Sequence, residues 1–525
     1  MQKTINVLKP QNRPKENKLE ELYSIINNYH LSDTIYLLGQ INSRFKFGHN
    51  ELVKDQVSEI DSWILNYYSG RFLQLHFDSN RLIRYLLLSK SNDFKSKKVN
   101  LNEVDILHLF DVVGNLYEKE IEQDVYQSFA RIAQKQFPLQ VDKSETIGRT
   151  YLLFMDIAQS YSDPYDINTN FINYFGLTPI QFILSGYALW LKSEGNVYKE
   201  MEIDLGDISD RINTKTVNQF INLSLGDHIS YKKHIRGSNW TKMRKLQDYH
   251  GFEALVKMPF FKIEKSSNII DWEITYLVPE PHYILERMAT GIFYLLADKE
   301  KEIAESENKP NHNAFRNFFG DKVYKDFVKR HLSQKVEGLE FIDFDEDIEH
   351  SGKKPDFAII SEKICVLFEV KTGLLTLNSR TFFEPSEIHE EVKSKNIGKA
   401  VKQLSDFEKA ILQKEIKKDC FKHIETVIKV IIGYEDIYSI NSVILEHVDT
   451  INYKNFQFGT ISDVEAIGLV LQNKLDITKI LLDKISTEKY SWQIRTVILE
   501  YIDKEKTRNN ILFDSCDLFM KMLIE

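Results

Sequence analysis

The sequence predicts a multidomain protein of α+β and α/β character, with a large helical region on the N-terminal side and a mixed α/β domain on the C-terminal side. Three observations carry this. From Lys18 to about Glu194 apolar residues recur every three or four positions, as in LEELYSIINNY, VDILHLFDVVGNLY and TYLLFMDIAQSY, the period of helices with one buried face. Beyond about residue 311, short apolar runs alternate with amphipathic stretches. At 525 residues the chain is too long for one ordinary core, and with 42% hydrophobic residues it can fill several.

Residues 1–200 read as a helical array. In its clearest segment, LTPIQFILSGYALWLKSEG, Thr178 is placed to cap, Pro179 takes the first helical position and Gly195 marks the end. Residues 201–298 read as a mixed module. DLGDISDRINTKTVNQFINLSLGD predicts two short helices joined by a turn, and ALVKMPFFKIE and WEITYLVP read as strands. Two architectures fit that order: a winged-helix unit, or a helical linker with a hairpin closing the first domain.

The charged, Asn-rich stretch KEKEIAESENKPNHN, residues 299 to 313, is broken by Pro310 and reads as the main domain boundary. Residues 311–525 then open with a helix (AFRNFFGDKVYKDFVKRHL) and a strand (LEFIDFD). The hairpin PDFAII and ICVLFEV, a long helix around 387 to 418 and the strand TVIKVIIGY follow. The order is helix, three strands, helix, strand.

Composition narrows the function classes. Sixty-eight basic against 77 acidic residues give a net charge of −9, so nucleic acid would be held by local patches and not by the whole surface. Cys365, Cys420 and Cys516 lie far apart with no CxxC pair, which excludes a zinc-finger pattern and points to a reducing cytoplasm. The N-terminal MQKTINVLKPQNRPKENK has no apolar segment of signal-peptide type. No apolar run approaches the roughly 20 residues of a bilayer span, so no membrane is expected. The 14 histidines form no HExxH, and GxxxxGK[ST] is absent.

The tripeptide Glu-Val-Lys occurs twice, at 369–371 and 391–393. Acid-x-Lys is cheap in this chain, since Glu16, Glu307 and Glu415 also begin one. Context separates the copies. Glu369 and Lys371 share one face at the end of the apolar run ICVLFEV, where charge needs a reason. A loop of four residues, Ser361 to Ile364, would pair Ile360 with Cys365 and set Asp356 opposite Glu369. Two adjacent carboxylates repel unless a cation lies between them, and hard oxygen donors suit Mg²⁺. The second copy lies in a charged, helical stretch, where Glu391 and Lys393 diverge.

PD, a short apolar strand and turn, and an apolar strand ending in ExK together resemble the PD-(D/E)XK nuclease superfamily, over roughly residues 311 to 435. The resemblance implies a restriction-endonuclease-like domain with an αβββαβ core. It implies a metal-dependent nuclease that hydrolyses phosphodiester bonds in DNA, with RNA as the alternative substrate, using Mg²⁺ or Mn²⁺ as its substitute. By the resemblance, Asp356 and Glu369 are metal-binding carboxylates, the Val370 carbonyl is a further ligand, Lys371 is the catalytic lysine, and Gln403 in GKAVKQLSDFEKA is the glutamine on the following helix.

The family's helical glutamate is replaced in GDKVYK by Lys325, with Asp326 turned about 100° away, which implies one metal ion instead of two. Helical regions joined to such nucleases resemble bacterial restriction or anti-phage defence effectors. The helical half would then sense, form a homo-oligomer or bind a partner protein. Two other readings stay open: a nuclease fold that has lost activity and binds nucleic acid or protein, and a helical adaptor.

Two basic stretches are candidates for holding phosphates, each with a solvated surface as the plainer alternative. Residues 231 to 257 carry Lys232, Lys233, Arg236, Lys242, Arg244 and Lys245, interleaved with Trp240. Residues 392 to 418 carry Lys399 and Lys402 beside the candidate site.

Overall fold

The computed structural model describes residues 18–42, 72–89, 103–114, 142–193, 212–237, 252–262, 276–309, 313–348, 352–376, 379–380, 383–394, 396–448 and 453–524. It is a mixed α/β protein with two sheets among these residues: a small one of three strands and a larger one of five. No described helix is long and apolar enough to cross a membrane.

The helical periodicity before residue 194 yields helices wherever that region is described. In the helices Lys18–Ile26, Leu31–Asn42, Phe72–Leu88 and Glu103–Gly114, Leu22, Ile35, Leu38, Leu82, Leu86 and Val113 share one apolar cluster. That cluster also takes in Tyr231, Phe261 and Tyr283 from the following module. The helix Pro179–Ser193 begins as expected: Thr178 Oγ1 accepts the Gln181 N–H at 3.1 Å, and Gln181 Oε1 accepts the Thr178 N–H at 3.0 Å. Gly195 lies outside the described residues.

In the mixed module a reciprocal cap between Asn213 and Thr216 starts the helix Thr214–Asn222. Next come β1 (Leu225–Gly226) and the helix His228–Gly237. ALVK, expected as strand, is the end of a short helix, Glu253–Lys257; only β2 (Phe260–Lys262) and β3 (Tyr276–Leu277) pair. β1 runs parallel to β2, and β3 antiparallel to it.

The charged stretch after residue 298 starts inside a helix. The helix Pro281–Ser306 runs straight into it. Its charges form i,i+3 and i,i+4 pairs on a solvated face, such as Lys299–Glu302 and Lys301–Glu305, while Glu300 turns inward and accepts the Phe315 N–H through both carboxylate oxygens. Ile284, Met288 and Phe293 before the stretch, and Phe315, Phe319 and Phe368 after it, belong to one apolar cluster. A polar helix face and a linker look alike in composition.

The larger sheet follows the expected order of helix, three strands, helix, strand, and adds a fifth strand. β4 (Glu340–Asp343), β5 (Phe357–Ser361) and β6 (Ile364–Lys371) form an antiparallel meander. β7 (Thr426–Gly433) and β8 (Phe456–Gly459) extend it in parallel. Alternate residues face opposite layers. Phe357, Ile359, Val366 and Phe368 join the helical core, whereas Ala358, Ile360, Cys365 and Leu367 pack against Ile397, Leu404 and Phe407. Those last three lie on the helix Asn396–Leu412.

Candidate active site

Ile360 pairs with Cys365, the expected register, and Ser361 with Ile364, so the turn proper is Glu362–Lys363, with Glu362 at φ +39°. One step beyond the Phe357–Phe368 pair, the Asp356 N–H donates to the Phe368 carbonyl at 3.0 Å. That bond is one residue out of the β5–β6 register, so the chain bends at Asp356, just before β5, and Asp356 is not a ladder partner of Glu369. Glu369, within β6, lies on the face of Leu367, toward the helix Asn396–Leu412.

Each carboxylate is held at both oxygens. Asp356 Oδ2 accepts the Val370 N–H at 2.8 Å, and Oδ1 meets the Lys325 ammonium at 2.7 Å. Glu369 Oε1 meets the Lys371 ammonium at 2.5 Å, and Oε2 accepts from Gln403 Nε2 at 2.7 Å. Gln403 Nε2 also donates to the Lys354 carbonyl at 2.7 Å, fastening the helix to the Lys-Lys-Pro-Asp segment. The N–H and C=O of one strand residue leave on the same side, so the Val370 carbonyl faces the Asp356 edge.

Lys325 reaches the site from the first residue of the helix Lys325–Leu332, directly after a π-helical turn over Phe319–Tyr324. Gly320 lets this helix approach the end of β6, since a Cβ there would lie 2.7 Å from Thr372 Cγ2. Asp326 points elsewhere and pairs with Arg330 at 3.3 Å. A lysine, and not an acid, therefore faces Asp356 from this helix.

Burial, then the charge of Asp356, push the Glu369 carboxyl up to about 7 against the opposing pull of Lys371 and Lys325. Burial works against the Lys325 ammonium, but Asp356 and Asp345 outweigh it and hold its pKa above the ordinary lysine value. The Lys325 hydrogen bond keeps the Asp345 carboxyl below its usual range.

Glu369 protonation has a measurable consequence in chelator-treated protein. In the unfolded chain this carboxyl titrates near 4.5, in the folded chain near 7. Between those values the unfolded state has released a proton that the folded state retains, so stability falls as pH rises through this window. The full penalty is present above it. Glu369→Gln is expected to be more stable than wild type by about 3 kcal/mol at pH 8 and equal to it at pH 4, in denaturant unfolding with EDTA. The same offset at both pH values would contradict this.

Asp356, Glu369, Lys371, Gln403 and the Val370 backbone thus come together, and Lys399 and Lys402 are exposed on the helix that carries Gln403. In the first basic stretch, Lys232 donates instead to the Ser89 carbonyl at the end of the helix Phe72–Leu88, a packing role. Lys233 is exposed on the helix His228–Gly237, which also includes Arg236. Lys242, Arg244, Lys245 and Trp240 lie outside the described residues. The second Glu-Val-Lys is helical, within Pro385–Ser394; Glu391 is buried and accepts from Ser379 Oγ at 3.3 Å, while Lys393 is exposed.

Sequence reasoning missed Asp345 and Lys354. Lys354 Nζ donates to the Phe344 and Ile348 carbonyls at 2.6 and 3.0 Å and secures the chain leading into Asp356. The acid-rich run IDFDEDIE was the available signal for Asp345.

Among the described residues, no group of three His, Cys, Asp or Glu side chains is arranged to hold a metal ion. Two carboxylates and a backbone carbonyl fit one ion of Mg²⁺ type, which keeps several of its waters, and do not fit two. No protein-family model and no curated protein matches the chain.

Proposed function

We propose that the chain is a metal-dependent phosphodiester hydrolase of PD-(D/E)XK type acting on DNA. The observation that carries this reading is the meeting, at one end of β5 and β6, of Asp356, Glu369, Lys371 and Gln403 from two strands and a helix. The order of elements around the five-stranded sheet supports it.

In this reading Asp356, Glu369 and the Val370 carbonyl hold the ion, which when bound supplies Lewis-acid polarisation of a phosphoryl oxygen. Gln403 fixes the Glu369 carboxylate through Oε2. Lys371, partly exposed at the strand end, is placed to donate to an attacking water and to stabilise charge that builds at phosphorus. Lys399, one helical turn before Gln403, and Lys402 give the nucleic-acid backbone a cationic approach.

A nuclease fold that binds nucleic acid without cutting is the second reading, favoured by the Lys325 ammonium on Asp356. Incubation with circular and linear DNA, and with RNA, in Mg²⁺, Mn²⁺ or EDTA separates the two. Cleavage of DNA with either ion and none with EDTA is expected. Intact substrate under every condition, with folded protein that still binds it, would favour the second reading.

A further inference from the structure

We infer that Lys325 is a resident cation of the site, a fixed charge standing in place of a second metal ion and limiting the site to one divalent cation. The inference rests on the metal-dependent reading above. Three features of the geometry argue for it.

The first is position. The Lys325 ammonium lies 2.7 Å from Asp356 Oδ1 and 2.7 Å from Asp345 Oδ2, and 5.6 Å from the centre of the Phe357 ring. Any second cation sharing that oxygen of Asp356 would meet a like charge at contact distance.

The second is charge. With every group ionised, Asp345, Asp356 and Glu369 carry three negative charges against two positive ones on Lys325 and Lys371, so the cluster holds only one net negative charge before any ion arrives. One divalent cation then leaves it net positive, as a phosphodiester requires. A second would leave an excess that like-charge repulsion opposes.

The third is anchorage. Asp345 offers Lys325 a second seat outside the sheet, on a turn where Asp343 accepts the Asp345 N–H at 3.0 Å. One helical turn on, Lys329 repeats the arrangement, 2.8 Å from Asp343 and 2.7 Å from Glu346. Two lysines on one helix face thus fasten the helix to the 343–347 turn. Lys325 keeps its seat on Asp345 when Asp356 turns an oxygen toward an incoming cation.

Mn²⁺ binding to the full chain, followed by electron paramagnetic resonance and calorimetry, tests this. Wild type is expected to bind one Mn²⁺, and Lys325→Arg the same. Lys325→Met should still bind one, at least about tenfold more tightly, because a neighbouring positive charge is gone. Lys325→Glu should bind two. Asp345→Asn, a change at an exposed side chain, leaves Asp356 as the remaining carboxylate partner of Lys325 and should weaken binding severalfold, which keeps the test alive if the Lys325 variants do not fold.

Two Mn²⁺ on wild type, or unchanged binding in Lys325→Met, Lys325→Glu and Asp345→Asn, would overturn the role of Lys325 and leave the metal-dependent reading standing. A wild type that neither binds Mn²⁺ nor cleaves DNA overturns both.

Discussion

Lys371→Ala is expected to lower Mg²⁺-dependent DNA cleavage by about 10² to 10³-fold while leaving the fold intact, the usual loss when one preorganised electrostatic group is removed. The side chain is partly exposed and its ammonium contacts Glu369, so its removal opens no core cavity. What it removes is stabilisation realised chiefly as charge accumulates in the transition state, so kcat falls and substrate affinity changes little. Glu369→Ala should be at least as damaging, since it removes a ligand and strands the Gln403 amide. Lys393→Ala, in the second Glu-Val-Lys, should leave cleavage unchanged because that lysine is exposed on a different helix. Rapid cleavage by a folded Lys371→Ala protein would show that this lysine is not part of the machinery. Glu391→Ala is a poorer control, since Glu391 is buried and its loss weakens the docking of its own helix.

The parts of this site legible in the sequence are those set by short-range geometry. Strand alternation and a tight turn fix the Ile360–Cys365 register, and with it the nearness of Asp356 to the end of β6, because only a handful of residues intervene; the bend at Asp356, whose N–H reaches Phe368 instead of Glu369, was not legible. Gln403 was pointed to by the family resemblance and not by spacing, since a glutamine on an amphipathic helix is ordinarily solvated; the bond to Glu369 comes from the packing of the helix Asn396–Leu412 on the sheet. What pairs with Lys325 was not legible. Its partners Asp345 and Asp356 are brought to it by the meander, and a run as acidic as IDFDEDIE offers several equivalent candidates. The stretch after residue 298 shows a different limit of the sequence: its first part is a helix face, and composition reports only that a surface is solvated, which linkers and helix faces share. The buried side of that stretch consists of Glu300 and Ala304, and Glu300 is held by the Phe315 backbone N–H, which leaves no trace in a side-chain pattern.

The other large effect concerns how the helical half is tied to the elements around the five-stranded sheet. Arg149, on the helix Lys143–Tyr151, grips Glu465, on the helix Ile461–Gln472, with two parallel bonds of 2.5 and 2.7 Å. Its third nitrogen lies 3.6 Å from Asp436, and Arg495 approaches Glu145 at 3.4 Å beside it. Gly148 permits the close packing this needs, because a Cβ there would lie 1.9 Å from the Leu512 carbonyl oxygen on the C-terminal helix. Arg149→Met leaves Glu465, Asp436 and Glu145 gathered with one arginine between them, two of the three largely shielded from water. Losing one partner of a buried pair costs about 3–5 kcal/mol, mostly as the penalty on the charge left behind. Replacing both partners removes that charge too, so Arg149→Met/Glu465→Leu is expected to recover most of the loss. In a chain of this size, thermal and denaturant midpoints are the appropriate readouts. The single variant should melt well below wild type, and the double variant should lie between them and nearer to wild type. If the double variant is as unstable as the single, Arg149 acts through packing of its stem and not through its charge. If both match wild type, the pair is no clamp at all.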